Sequence, residues 1–259
     1  MTTIYYDSMM SDYSAGITLD FLSNTTMNEK YNILVNESIP ENTLPKIQYY
    51  GVGIGGIGDT IKVAYHNAKD GALFDHIPFI IRPINLDLSV EDRVNYRMRV
   101  EKQIRGTNYV LYYLKKLPTN PDTAYIKKLT KNSNGLGTLS KFDNNDSTIL
   151  NPVPTSVTDL DYNKSVFYVK ELKFSITLTQ AEKNEIINAY RIINNTTDIP
   201  NISEICIFTG LDKEVSATIK EAYAVRAAFF YPMASEYQSF LNDVGLYQHY
   251  INIGGMKLH

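Results

Sequence analysis

The 259-residue chain has no tryptophan and a single cysteine, Cys206. One cysteine excludes an intramolecular disulfide and a cysteine-based zinc site. The four histidines, His66, His76, His249 and His259, are scattered, and neither H-E-x-x-H nor E-x-x-H occurs. There is no G-x-S-x-G, so the turn that presents a hydrolase serine is missing. No uninterrupted run of about 18 apolar residues exists, which excludes a transmembrane helix. The opening MTTIYYDSMMSDYSAG lacks a basic start followed by an apolar core, so a secretory signal is not expected there. Neither sign of charge dominates: 25 Lys and Arg against 28 Asp and Glu leave a net −3. That excludes a wholly basic nucleic-acid binder and a highly charged disordered chain.

Hydrophobic residues make up 44% and charged residues 20%, the balance of a folded globular protein. The length suits one or two domains that bury roughly 70–75% of the unfolded surface. Tyrosine reaches 20, and Asn, Ile and Thr are abundant. Tyr, Ile and Thr favour strands and Asn favours turns, so the chain reads as β-rich with polar loops. An A/T-biased genome would enrich several of the same residues. We expect a mainly β fold, a β-sandwich with one principal helix at about 180–194 and a short helix at about 90–95.

Residues 1–44 are polar and weakly patterned, and read as an N-terminal arm with little core of its own. The rest, 45–259, reads as the sandwich domain. Ile47 and Tyr49 alternate before a glycine run, and Ile61, Val63 and Tyr65 alternate after it, giving strand, loop, strand. Ile77 to Ile84 contains Pro78 and Pro83, which suits an edge strand. Ser89 and Asp92 mark the start of a short helix. Residues 96–117 form a hairpin about Arg105-Gly106. A long polar stretch at 130–165 reads as a loop or insertion. Phe167 to Leu178 is a strand. Thr179-Gln180-Ala181-Glu182 is a capping box opening the main helix, with Ile186, Ile187, Tyr190 and Ile193 on its apolar face. Strands follow at Ile202–Phe208 and Tyr223–Phe229, with a turn at Gly210-Leu211-Asp212 between them. A final strand at Tyr250–Ile253 precedes Gly254-Gly255.

Few residues carry a chemical signature. Gly51-Val52-Gly53-Ile54-Gly55-Gly56 satisfies G-x-G-x-x-G, which in a dinucleotide site lets the backbone approach a pyrophosphate at a helix start. The period-2 pattern after Gly58 argues against the helix that site needs. A glycine loop between strands, or a close approach of backbone to a neighbour, is the preferred account. His66 and His76 flank Asp70 and Asp75 without metal-ligand spacing. Asp143 and Asp146 resemble half of a calcium loop, lacking its glycine and terminal glutamate. Cys206, inside an apolar strand, reads as a buried thiol. We therefore expect no catalytic residue, cofactor or metal.

Charge and aromatics are more informative. Arg97, Arg99, Arg105, Lys115 and Lys116 belong to a basic stretch from Arg93 to Lys131 that is opposed only by Glu101 and Asp122. It reads as a solvated strand face, or as a surface meeting an acidic protein or, less favoured, DNA. Tyr109, Tyr112 and Tyr113 are interface candidates, because tyrosine offers apolar area and a hydroxyl together. In the arm, Ile17, Leu19, Phe21 and Leu22 are the candidate anchors to a neighbour.

The run from Gly51 through Ala72-Leu73-Phe74, Ile77-Pro78-Phe79, Ile81-Arg82-Pro83 and Tyr109–Lys116 resembles virion structural proteins of tailed bacteriophages. The later order of strand, capped helix, Ile202-Ser203-Glu204-Ile205 and Ala222–Phe230 is similar to β-rich baseplate wedge proteins of contractile-tailed phages. Together these stretches cover most of residues 46–230. The resemblance implies a non-enzymatic subunit of tail, baseplate or neck, made in the host cytoplasm and resident in the virion. Its partners would be other virion proteins and further copies of itself, with no membrane involved. The alternatives are a ligand- or carbohydrate-binding adhesin module and a nucleotide-cofactor enzyme using Gly51–Gly56. The lack of tryptophan weighs against sugar stacking.

Overall fold

The computed structural model describes residues 2–56, 65–117, 122–131, 137–141, 166–216, 218–232 and 245–257. The chain divides into two compact units, Met1–Leu117 with Leu178–Gly245 and Pro118–Thr177 with Leu246–His259. Both are built on antiparallel sheet, and the protein is mainly β as its composition predicts.

The first unit contains helices α1 (Ile4–Ser14) and α2 (Thr26–Tyr31), then strands β1 (Lys46–Gly53), β2 (His76–Ile77) and β3 (Ile80–Pro83). The short helix α3 (Val90–Arg93) leads into the hairpin of β4 (Tyr96–Ile104) and β5 (Thr107–Lys116). The same unit takes up α4 (Gln180–Asn194), β9 (Glu204–Ser216) and β10 (Ile219–Pro232). The second unit is a four-stranded sheet of β6 (Asp122–Lys131), β7 (Gly137–Lys141), β8 (Val166–Leu178) and β11 (Gly245–Lys257), in the order β11-β8-β6-β7.

In the first unit β1 is the pivot. One edge pairs with β9 from Lys46 to Gly53, and the other meets β5 only at Tyr49 and Tyr50 before β2 takes over. β5 is flanked by β4 along one side and by β3 on the other. The sheet therefore turns a corner between β1 and β5. Its far ends are tied where Glu221 of β10 accepts hydrogen bonds from the backbone N–H groups of Met98 (2.7 Å) and Arg99 (3.2 Å) of β4. The layers β10-β9-β1 and β4-β5-β3 share one apolar core that includes Tyr49, Leu111, Leu114, Phe208, Val225 and Phe230. This is the sandwich-type packing expected of alternating strands. Met27 on α2 and Ala189 on α4 join the same core, in which each fully buried large apolar side chain contributes about 1.5–3 kcal/mol.

Local signals hold closely at the helix starts and at the hairpin. Thr179 accepts from the Glu182 N–H while the Glu182 carboxylate accepts from the Thr179 N–H, the reciprocal box its sequence implies. Ser89 caps α3 by accepting from the Asp92 N–H, without the reciprocal backbone bond, and α3 ends at Arg93. The 96–117 hairpin turns through Arg105 and Gly106, both with positive φ (47° and 80°). That pair of left-handed residues matches the twist of the flanking strands.

Three expectations change. Gly210 does not turn the chain: β9 runs through it to Ser216. The glycine is there because a Cβ would come 2.8 Å from the Tyr49 ring, so the position needs room rather than a bend. β11 likewise continues through Gly254 and Gly255 to Lys257.

The 1–44 segment is also not a free arm. Thr3 donates from its N–H to Ala228 O (2.9 Å) and from its hydroxyl to Ala227 O (2.5 Å), which fastens α1 along β10. Met9, Leu22 and Met27 are fully buried there. Weak helical periodicity hid this, because α1 is held mostly by its first residues. The strand expected at 61–65 and most of the polar stretch at 130–165 lie outside the described residues, apart from Tyr65, the end of β6 and all of β7.

Candidate functional site

The glycine run packs against the chain itself. β1 extends through Gly53, so Gly51 and Gly53 are strand residues. A Cβ on Gly51 would lie 2.6 Å from His76 Nε2, and one on Gly53 would lie 2.6 Å from the Phe74 carbonyl and closer still to Glu204 Oε1. On Gly56 it would meet Ser203 Oγ at 2.9 Å. Gly56 N–H donates to that hydroxyl (2.7 Å), and Ser203 N–H donates to Gly53 O (3.0 Å). The glycines thus admit the Phe74–His76 segment and the start of β9 against β1. Residues 57–64, where a dinucleotide site would need its helix, lie outside the described residues.

His66 sits over this junction. Its ring is stacked between Phe74 and Phe230, with centroids 4.0 and 3.7 Å away and planes within 8°. Nδ1 faces Asp70 Oδ2 at 3.1 Å, and Nε2 makes a short contact with Glu204 Oε2. Asp70 is held in turn by the Asn67 N–H (2.8 Å). With a carboxylate at each nitrogen, the ring donates in both directions only as an imidazolium. Burial raises the Glu204 carboxyl, the hydrogen bond and charge of His66 pull it down, and Asp75 pushes it up. Mechanically, the pair ties β9 to the 65–75 segment. That segment receives the chain's start, since Ala68 O accepts from Ile4 N–H (2.8 Å) and Lys69 O accepts from the Tyr5 hydroxyl (2.7 Å).

His76 belongs to a different cluster. It donates from Nε2 to Tyr113 O (3.0 Å) and accepts at Nδ1 from the Tyr31 hydroxyl (3.1 Å), which fixes the neutral tautomer. Burial lowers its pKa to about 3; the Tyr113 carbonyl opposes this and the Lys30 charge adds to it. The two histidines therefore do not converge. Among the described residues no three His, Cys, Asp or Glu side chains are grouped to hold a metal ion. Asp143 and Asp146 lie outside those residues. Cys206 is buried, and burial followed by the Glu204 charge pushes its thiol well up.

The basic stretch is dispersed by the fold. Arg97 is buried and forks onto Asp212 (Nε 2.7 Å, Nη2 3.1 Å), which also accepts from the Tyr49 hydroxyl (2.7 Å) and Lys116 (3.0 Å). Burial pushes Asp212 up, but the hydrogen bonds from Arg97 and Tyr49 and the nearby charges win and hold it at about 2. Arg97 and Met98 both face inward because Met98 takes a left-handed conformation (φ 56°), which breaks the alternation of β4. Arg99 pairs with Asp87 (2.9 Å) and Glu101 (2.6 Å). Lys115 contacts Glu182, Arg105 contacts the Ile192 carbonyl, and Arg82 grips Glu185 through two 2.6 Å bonds. These three cations strap both ends and the middle of α4 to the sheet, so most of the stripe is spent inside the first unit.

The other candidates also divide. Tyr112 and Tyr113 are buried, and Tyr109 is half-buried beside the core. Leu19 and Leu22 are buried while Ile17 and Phe21 are exposed. Ile17 lines a hollow of about 330 Å³ together with Tyr13, Leu19, Ile39, Asp20 and Glu41. Sequence reasoning missed Glu204, Asp212 and Glu221, the carboxylates at which the long-range contacts meet. Each has partners more than 90 residues away, and no local spacing announces that.

Residues 1–229 match the model of a family described as a family of unknown function, DUF7208. The chain belongs to this family. The DUF7208 stretch contains the glycine run, His66, Glu204, Asp212 and Glu221, and stops one residue short of Phe230. No curated protein and no solved structure matches the chain.

Proposed function

We propose that the chain is a structural subunit that acts through protein–protein contacts, built into the tail, baseplate or neck of a tailed-phage particle. One observation carries the assembly reading. Of the eleven large apolar side chains exposed among the described residues, eight fall in two short stretches: Ile4, Tyr13, Ile17 and Phe21, and Ile84, Leu86, Val90 and Val94. Apolar exposure gathered this way marks contact surface, whereas scattered single residues would not. The phage setting is supported by the sequence resemblance. The glycine run is accounted for by the packing of β1 against Phe74, His76 and Glu204, so it lends no weight to a nucleotide site.

The test is mass spectrometry of purified, nuclease-treated particles from the organism that encodes the chain, with cross-linking. The reading expects the chain at a fixed copy number, with cross-links reaching the two apolar stretches. A chain absent from particles and monomeric at every concentration overturns it.

A further inference from the structure

Residues 65–75 form neither helix nor strand. Among the described residues, the side-chain hydrogen bond that joins 66–73 to the sheet is the one between His66 and Glu204. Both residues are buried, so neither can exchange that bond for one to solvent. Two N···O lines meet at the ring, Nδ1 to Asp70 and Nε2 to Glu204. Filling both lines takes two protons, and a neutral ring between two carboxylates brings only one. The other line would then set a nitrogen lone pair against a carboxylate oxygen in a buried site, which is costly. An imidazolium or a protonated Glu204 supplies the second proton. Burial, the largest influence on Glu204, favours its protonated form, and the Asp75 charge acts in the same direction. The remaining titratable group at this junction is Cys206 on β9, whose thiol is pushed well up. β10 contributes the uncharged Phe230 ring, and the segment itself the Phe74 ring.

We propose that His66, Asp70 and Glu204 form a proton-operated latch, which is closed with two protons on its lines and opens residues 66–73 when one of them is lost. The opening reaches the chain's start, because Ala68 O and Lys69 O hold the Ile4 N–H and the Tyr5 hydroxyl. The pH then governs how firmly the start of α1 is held, whatever the protein assembles with. In the open segment His66 is an ordinary imidazole and keeps its extra proton only below about pH 6.5. Above that pH closing takes up a proton, so opening grows as the pH rises, by up to about tenfold per unit. His76 acts below 6.5 and in the opposite sense, so the two histidines are separable.

Hydrogen exchange of the full chain, read residue by residue from pH 6.5 to 9.5 and corrected for the intrinsic exchange rate, tests the latch. In the wild type the protection of the Ile4 amide should fall with pH, by up to about tenfold per unit, while α4 stays protected. Glu204→Gln should hold Ile4 at one level throughout: the amide can donate to Nε2 of a neutral ring whose Nδ1–H serves Asp70, which fills both lines without the extra proton. The α-amino group and Cys206 are common to both proteins, so a dependence they cause would survive the substitution. A wild type whose Ile4 protection does not change overturns the proposal, and so does a fall that persists in Glu204→Gln. If Glu204→Gln does not fold, the ring signal of His66, assigned by its loss in His66→Gln, decides in the wild type. It should titrate together with the loss of Ile4 protection, and a ring that titrates while Ile4 stays protected overturns the latch.

Discussion

His76 shows how much a residue's chemistry depends on what surrounds it. In sequence it is one of two histidines near two aspartates. In the fold it is neutral, donating to Tyr113 O and accepting from Tyr31, and burial lowers its pKa to about 3. The unfolded chain binds a proton there below about pH 6.5, and the folded chain does not. His76 therefore contributes no pH dependence above 6.5, and stability is lost as the pH falls from 6.5 towards 3. The expected slope from this residue is about 1.4 kcal/mol per pH unit. Denaturant titrations of wild type and His76→Gln across that window should differ by this slope; parallel curves would show that the imidazole titrates freely.

Gly53 makes the same point sterically. Its substitution by Ala drives a methyl into the Phe74 carbonyl and the Glu204 carboxylate, and backbone cannot yield as a flexible side chain does. We expect Gly53→Ala to cost about 1–3 kcal/mol, as overpacking does. A denaturation midpoint unchanged from wild type would contradict the close approach.

Among the elements, α4 is the most self-sufficient. It has a complete capping box, a left-handed Asn195 at its end (φ 53°), and a buried stripe through Lys183, Ile186 and Ala189. Thr179→Ala removes the acceptor for the Glu182 N–H and should lower stability by about 1 kcal/mol. Thermal melts of the full chain read this directly, and Thr179→Ser should recover most of the loss. The helix was legible because capping is a four-residue signal. Its docking was not, because Lys115, Arg82 and Arg105 find it from three separate places in the sheet. Gly210 illustrates the opposite case: a local turn signal was overridden by the need to admit Tyr49.

For the whole molecule, the N-terminal 44 residues matter most. Arg226 of β10 lies between the rings of Tyr5 and Phe21, 5.1 and 5.6 Å from their centroids, and donates to the Phe21 carbonyl (3.3 Å). With the Thr3 bonds and the burial of Met9 and Leu22, this clamps the segment to the sheet without any partner. Limited proteolysis of the isolated chain should accordingly spare residues 2–44, and Arg226→Ala should open the segment to cleavage. Rapid cutting within α1 of the wild-type monomer would show that the segment needs a neighbour after all.

Alternation, capping and turn chemistry act over two to four residues, so the sequence by itself determined the mainly β class, the β4–β5 hairpin, the capped helices α3 and α4 and the edge-strand character of Ile77–Pro83. Composition excluded an intramolecular disulfide in the same direct way. Only the tertiary structure decided that Arg97 is buried on Asp212, that Glu204 meets His66, and that the first 44 residues belong to the main core. Those outcomes depend on partners 115, 138 and 224 residues away, brought together when the sheet turns its corner at β1 and Glu221 ties β10 to β4. A charge or a glycine reads the same in sequence whether it faces water or a neighbouring strand, and packing alone makes that distinction.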